Sequence, residues 1–156
     1  MKTLFFEIIS LGAIMTAQAQ QNEWATVLDH YLVMENALVA SNPEDAKTAM
    51  EKMHKNVLQL QAEAKGKNYE KEVKFLAAYL EAHSKATSLD DLRSGFEKIS
   101  KSMIALAELK VFGKDALYVV YCPMKKASWL DDANTVKNPF FGKAMLTCGS
   151  VKKTIN

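Results

Sequence analysis

The chain has 156 residues, of which 49% are hydrophobic, and its 20 Lys and Arg against 18 Asp and Glu give a formal net charge of +2. The basic residues are spread along the whole length, so no clustered cationic face exists for phosphate, and nucleic acid is excluded as a partner class. No internal repeat, low-complexity tract or Gly/Ser linker divides the sequence, and one domain with a real core is expected.

The first segment reads as a targeting signal. Lys2 gives a positive start, Leu4 to Met15 is mostly apolar, and Ala17-Gln18-Ala19 is the small-x-small pattern read by signal peptidase. The apolar stretch is too short to span a membrane as a stable helix, and Glu7 weakens it without abolishing export. Residues 1–19 are therefore expected to be a signal peptide, leaving residues 20–156 as one periplasmic or secreted domain. Neither cysteine lies near the cleavage site, and no later stretch suits a membrane anchor.

Residues 22–111 read as four amphipathic helices. Trp24, Val27, Leu28, Tyr31 and Leu38 recur at helical spacing, and Ser41-Asn42-Pro43 stops that run. Asn42 is placed to cap the second helix, with Pro43 at its first position and Glu44 and Asp45 near the positive end of the dipole. Its stripe is Ala46, Met50, Met53, Val57, Leu60 and Ala64, with Gly66 as terminator and Asn68 as the next expected cap. The third stripe is Tyr69, Val73, Leu76, Leu80 and His83, the last expected as a hydrogen-bonded core residue. Ser88 and Asp91 form a capping box before Leu92, Phe96, Ile99, Met103 and Leu106. Short connections between such helices predict a mainly α fold, an antiparallel up-down four-helix bundle.

After Val111 the pattern changes. Phe112 to Asp115 reads as a turn, Leu117 to Tyr121 as a short strand, and Met145 to Val151 as its partner. Between them Pro123, Trp129, Asp131, Asp132, Asn138-Pro139 and Gly142 predict a structured loop. Residues 112–156 are thus expected to be a hairpin-like appendage packed on the bundle.

That appendage holds both cysteines, each near a methionine: Cys122-Pro123-Met124 and Met145-Leu146-Thr147-Cys148. If the two runs pair, four sulfurs converge. Thiolate and thioether are soft ligands that favour Cu(I) or Ag(I) over Mg, Ca or Mn. A Cys122–Cys148 disulfide fits the same residues in an exported protein, and a reducible pair would bind metal only as the dithiol. A second set of donors lies on the helices, His30 with Met34 and Met50 with Met53 and His54, although methionines at core spacing usually fill space. Glu51-Lys52-Met53-His54 is a single Glu-x-x-His where a di-iron bundle needs two. There is no Cys-x-x-Cys-His, Gly-x-Ser-x-Gly, phosphate loop or His-Glu-x-x-His, so no catalytic residues are assigned and no enzyme is expected.

The segments Tyr118 to Met124, Ser128-Trp129-Leu130 and Lys137 to Gly149 closely resemble a bacterial domain family of uncharacterised function. Its pattern runs Cys-Pro-Met, Trp-Leu, Asn-Pro-aromatic-aromatic-Gly and Met-Leu-x-Cys-Gly. His30-Tyr31-Leu32 and Ala37 to Ser41 look like its first helix. The family occurs as small exported proteins and at the C-terminus of periplasmic adaptor subunits of copper/silver-type heavy-metal efflux pumps. The resemblance implies a metal-handling context, with Cys122, Met124, Met145 and Cys148 as the ligand set for Cu(I). It implies structural roles for Trp129, Asn138, Pro139 and Gly142, and an efflux adaptor or another envelope protein as partner. The alternative expectation is a non-metal interaction module stapled by a Cys122–Cys148 disulfide.

Overall fold

The computed structural model describes residues 23–113 and 116–156; the expected signal peptide and the turn residues Lys114 and Asp115 lie outside them. Helix α1 covers residues 23–39 and buries Trp24, Val27, Leu28, Tyr31, Met34 and Leu38 along one stripe. It ends in a Schellman reversal: Ser41 takes a left-handed conformation (φ 57°), and the Asn42 N–H donates to the Ala37 carbonyl at 2.8 Å. Asn42 then caps α2 (Pro43–Ala64), its side chain accepting from the Asp45 N–H at 3.1 Å. The second stripe is buried as its spacing predicts.

Helix α3 (Glu70–Ala82) starts differently from expectation. Asn68 is not its cap; Tyr69 occupies that position without a side-chain cap bond. Glu70 instead reaches back to accept the Gly66 N–H at 2.7 Å, which ties the preceding turn to the helix start and sets a carboxylate at its positive end. His83 lies just past the end of α3, half-buried rather than in the core, with its Nδ1 2.9 Å from the Tyr79 carbonyl. Ser88 caps α4 (Leu89–Glu108) by accepting from the Asp91 N–H and donating to the Asp91 carboxylate. Gly95 of α4 makes room for His83: a Cβ there would sit 2.8 Å from the imidazole. Lys110 (φ 58°) closes α4 with a second Schellman reversal, Val111 N–H to Leu106 carbonyl.

The C-terminal segment holds three strands rather than a hairpin of two. Strands β1 (Leu117–Cys122), β2 (Ala127–Asp131) and β3 (Ser150–Ile155) form an antiparallel sheet in the order β2-β1-β3. Strand β2 falls where a loop was expected. Its Trp129, Leu130 and Asp131 are all buried, so it lacks the polar-apolar alternation that marks a one-sided strand. The second expected strand starts five residues later than predicted, because Met145 ends a 3-10 turn (Gly142–Met145).

Helix α2 packs on α3, α3 on α4, and α4 carries β2. One apolar core runs from the helices into the sheet through Leu117, Val120, Cys122, Trp129, Leu130 and Phe140. A polar seam crosses it. The Tyr31 hydroxyl of α1 lies 2.8 Å from Ser100 Oγ of α4 and accepts the Leu130 N–H of β2 at 3.0 Å. Such buried groups resist separation because an unmet donor or acceptor inside the core is costly. Beside it, Glu35 (4% exposed) faces Asp131 (7% exposed). Burial pushes the Glu35 carboxyl well above the usual carboxylate range, and Asp131 and Asp132 push it further. The Trp129 indole favours the anion, yet neither its Nε1 nor Glu35 Oε2 makes a hydrogen bond.

Candidate functional site

The site starts where β1 ends. Cys122 is opposite Ala127 across β1 and β2, and residues 123–126 make the turn between them. Lys126 enters the left-handed region (φ 57°) and donates its N–H to the Cys122 carbonyl at 2.8 Å, closing the turn. The turn also aims the Lys125 N–H at Cys122 Sγ, 3.4 Å away. On the other side of β1, Tyr121 pairs with Ser150 of β3. The chain just before β3 therefore passes the end of β1, and Cys122 Sγ and Cys148 Sγ stand 3.3 Å apart. Gly149 permits that passage: a Cβ there would meet the Trp129 ring at 3.0 Å and Val136 at 3.2 Å.

The segment leading to Cys148 is held by Asn138, which is fully buried. Its Oδ1 accepts from the Phe140 N–H (2.8 Å) and the Phe141 N–H (3.2 Å), an Asx turn, while Nδ2 donates to the Cys148 carbonyl at 2.6 Å. The Asn138 N–H donates to the Leu146 carbonyl, and the Gly142 N–H to the Asn138 carbonyl. One amide side chain thus ties both ends of the loop together. The loop is fastened to the helices by Arg93 of α4, whose Nε donates to the Pro139 carbonyl and Nη2 to the Leu38 carbonyl at the end of α1. Phe140 inserts edge-on between Phe96 and Trp129, with centroids 5.8 and 5.9 Å away. Gly142 (φ 54°) lies so close to the α1 terminus that a Cβ would meet the Val39 carbonyl at 2.9 Å.

The two thiols are unequal. Cys122 is fully buried and Cys148 half-buried. Burial raises the Cys122 thiol, but N–H donation from Lys125, the Cys148 thiol, the Asn138 side chain and the Met124 N–H outweigh it, and the net direction is down. Cys148 goes the other way, because its proton is held in the hydrogen bond to Cys122 and desolvation adds to this. Of the two, Cys122 is the thiol that loses its proton more readily. Such a pair can close to a disulfide or offer soft sulfur ligands.

The other sequence-predicted residues are dispersed. Met124 projects into solvent (65% exposed), and Met145 sits half-buried in the 3-10 turn. Met34, Met50 and Met53 are in the apolar core. His54 is 3.6 Å from the Glu81 carboxylate, between α2 and α3. His30 lines a surface groove of about 610 Å³ with Val33, Asn36, Asp45 and Lys52. Met34 and His30, though four residues apart, therefore occupy different environments. Among the described residues no group of three or more His, Cys, Asp and Glu is placed to hold a metal ion, so a metal at the thiol pair would need thioether or external ligands. No described helix is long and apolar enough to cross a membrane.

Sequence reasoning missed Tyr31–Ser100, Glu35–Asp131 and Arg93. Glu35 carried a signal, since it falls on the apolar stripe of α1 four residues after Tyr31. Arg93 carried none, because its partners, the Pro139 and Leu38 carbonyls and Ser41 Oγ, lie on distant segments.

A family model described as a protein of unknown function (DUF3347) matches residues 27–114, the helical part of the chain. No match was found among curated proteins, and none among solved structures.

Proposed function

The chain belongs to the DUF3347 family, and from that premise we propose that it is an exported protein that binds a soft metal ion, Cu(I), through Cys122 and Cys148. The observation that carries this reading is the pair of thiols 3.3 Å apart, with N–H donors around the buried sulfur that favour its thiolate form. Met124 and Met145, on the two segments that hold the cysteines, are the thioethers available to complete the ligand set. Bound there, the ion would be buffered or passed on by sulfur ligand exchange. The helices, read as an up-down antiparallel bundle, serve as scaffold. The setting is the periplasm or the exterior, the recipient a heavy-metal efflux adaptor or another envelope protein, and no catalysis is involved.

The same 3.3 Å separation favours a second reading, a Cys122–Cys148 disulfide that fixes the C-terminal sheet for protein interaction. Thiol counting on freshly isolated protein, followed by anaerobic Cu(I) titration of the reduced form against a competing chelator, separates the two. One-to-one binding that is lost in the Cys122→Ser, Cys148→Ser double variant supports the metal reading. Failure of the reduced wild type to compete would refute it and leave the stapled module.

A further inference from the structure

We infer that Cys122 and Cys148 form an exchange-active couple toward external thiols and disulfides, in which Cys148 is the sulfur met from solvent and Cys122 the internal partner. The inference does not depend on metal binding, and it departs from an inert staple. Three geometric facts carry it. The sulfurs are 3.3 Å apart, so one can attack the other with little backbone movement. Cys122 is fully buried at the end of β1, whereas Cys148 lies half-buried in the irregular segment before β3, so an incoming sulfur reaches only Cys148. Cys122 Sγ receives the Lys125 N–H at 3.4 Å, a donor that stabilises negative charge developing on that sulfur when it leaves. The rim is accessible, with Met124 65% and Leu146 38% exposed.

Starting from the dithiol, one proton is lost to solvent, the other passes across the 3.3 Å contact to Cys122, and the Cys148 thiolate attacks a small disulfide R–S–S–R. A Cys148–S–R bond forms, the R–S–S–R bond breaks, and one R–S⁻ departs and is protonated. Cys122, deprotonated in turn, attacks Cys148 Sγ, forming the internal disulfide and expelling the second R–S⁻. The protein loses two electrons, the external disulfide gains them, and two RSH are released for each RSSR consumed. The reverse path begins with an external thiolate on Cys148 Sγ and expels Cys122.

The test uses metal-free, chelator-treated mature protein with oxidised glutathione as probe and mass spectrometry as readout. In folded single variants, Cys122→Ser should trap the mixed disulfide at Cys148 at least tenfold faster than Cys148→Ser traps it at Cys122. The reduced wild type should yield the internal disulfide and two equivalents of reduced glutathione. As a check that needs no variant, brief alkylation of reduced wild type should label Cys148 at least tenfold ahead of Cys122. Equal or reversed labelling, or reaction only in denaturant, would overturn the inference. Because no metal is present, these outcomes are distinct from failure of the copper titration.

Discussion

Replacing Asn138 by Ala should unfasten the loop that delivers Cys148. The truncation leaves three backbone groups without their partner: the Phe140 N–H, the Phe141 N–H and the Cys148 carbonyl. An unsatisfied buried group costs about 1–3 kcal/mol. Only the Phe140 N–H is fully buried, and the other two can recruit water, so the expected loss is about 3–4 kcal/mol rather than the sum of three full penalties. For a domain of this size that lowers the Tm by about 10–15 °C. Urea denaturation of the mature protein, followed by near-UV circular dichroism of the tryptophans, measures it directly. Asn138→Asp sharpens the experiment: it keeps the acceptor for both N–H groups but sets an oxygen against the Cys148 carbonyl. That variant should lose stability mainly through the contact to Cys148. A loss below about 1 kcal/mol for Asn138→Ala would show that the amide is not what ties the loop, and the reasoning would fail.

Three further outcomes follow from the same packing. Glu35→Gln should remove a pH dependence: a carboxyl whose folded pKa is raised from the ordinary 4.5 stabilises fully below that value, and the contribution is lost as pH rises through the folded pKa. The urea midpoint of the variant should thus gain on the wild type as pH rises above 4.5, and a constant difference would contradict the buried Glu35–Asp131 contact. Gly142→Ala combines a left-handed backbone (φ 54°) with a Cβ 2.8 Å from Ser41 Oγ and 2.9 Å from the Val39 carbonyl, so it should cost about 2–4 kcal/mol in thermal or urea unfolding. Tyr31→Phe deprives the buried Leu130 N–H and Ser100 hydroxyl of their partner and should cost about 1–3 kcal/mol, seen as faster amide exchange at Leu130.

The helical half was legible from the sequence because its causes are local. A repeat of 3.6 residues put Met50, Met53, Val57 and Leu60 on one buried face, and Asn42 and Ser88 stand where a side-chain oxygen can accept an orphan N–H. The nearness of Cys122 and Cys148 was anticipated from two runs able to pair, although the pairing strand was misplaced, since Met145 ends a 3-10 turn. What tertiary structure alone decided lies between segments. Strand β2 packs against α4 and is buried on both faces at Trp129, Leu130 and Asp131, which erased the alternation that would have announced it. Arg93 matters through carbonyls 46 and 55 residues away, and Tyr31 through an N–H 99 residues away; backbone groups leave no mark on residue identity. The difference between a buried Cys122 and a half-buried Cys148 has the same origin, since it depends on which sulfur the sheet and the Asn138 loop cover.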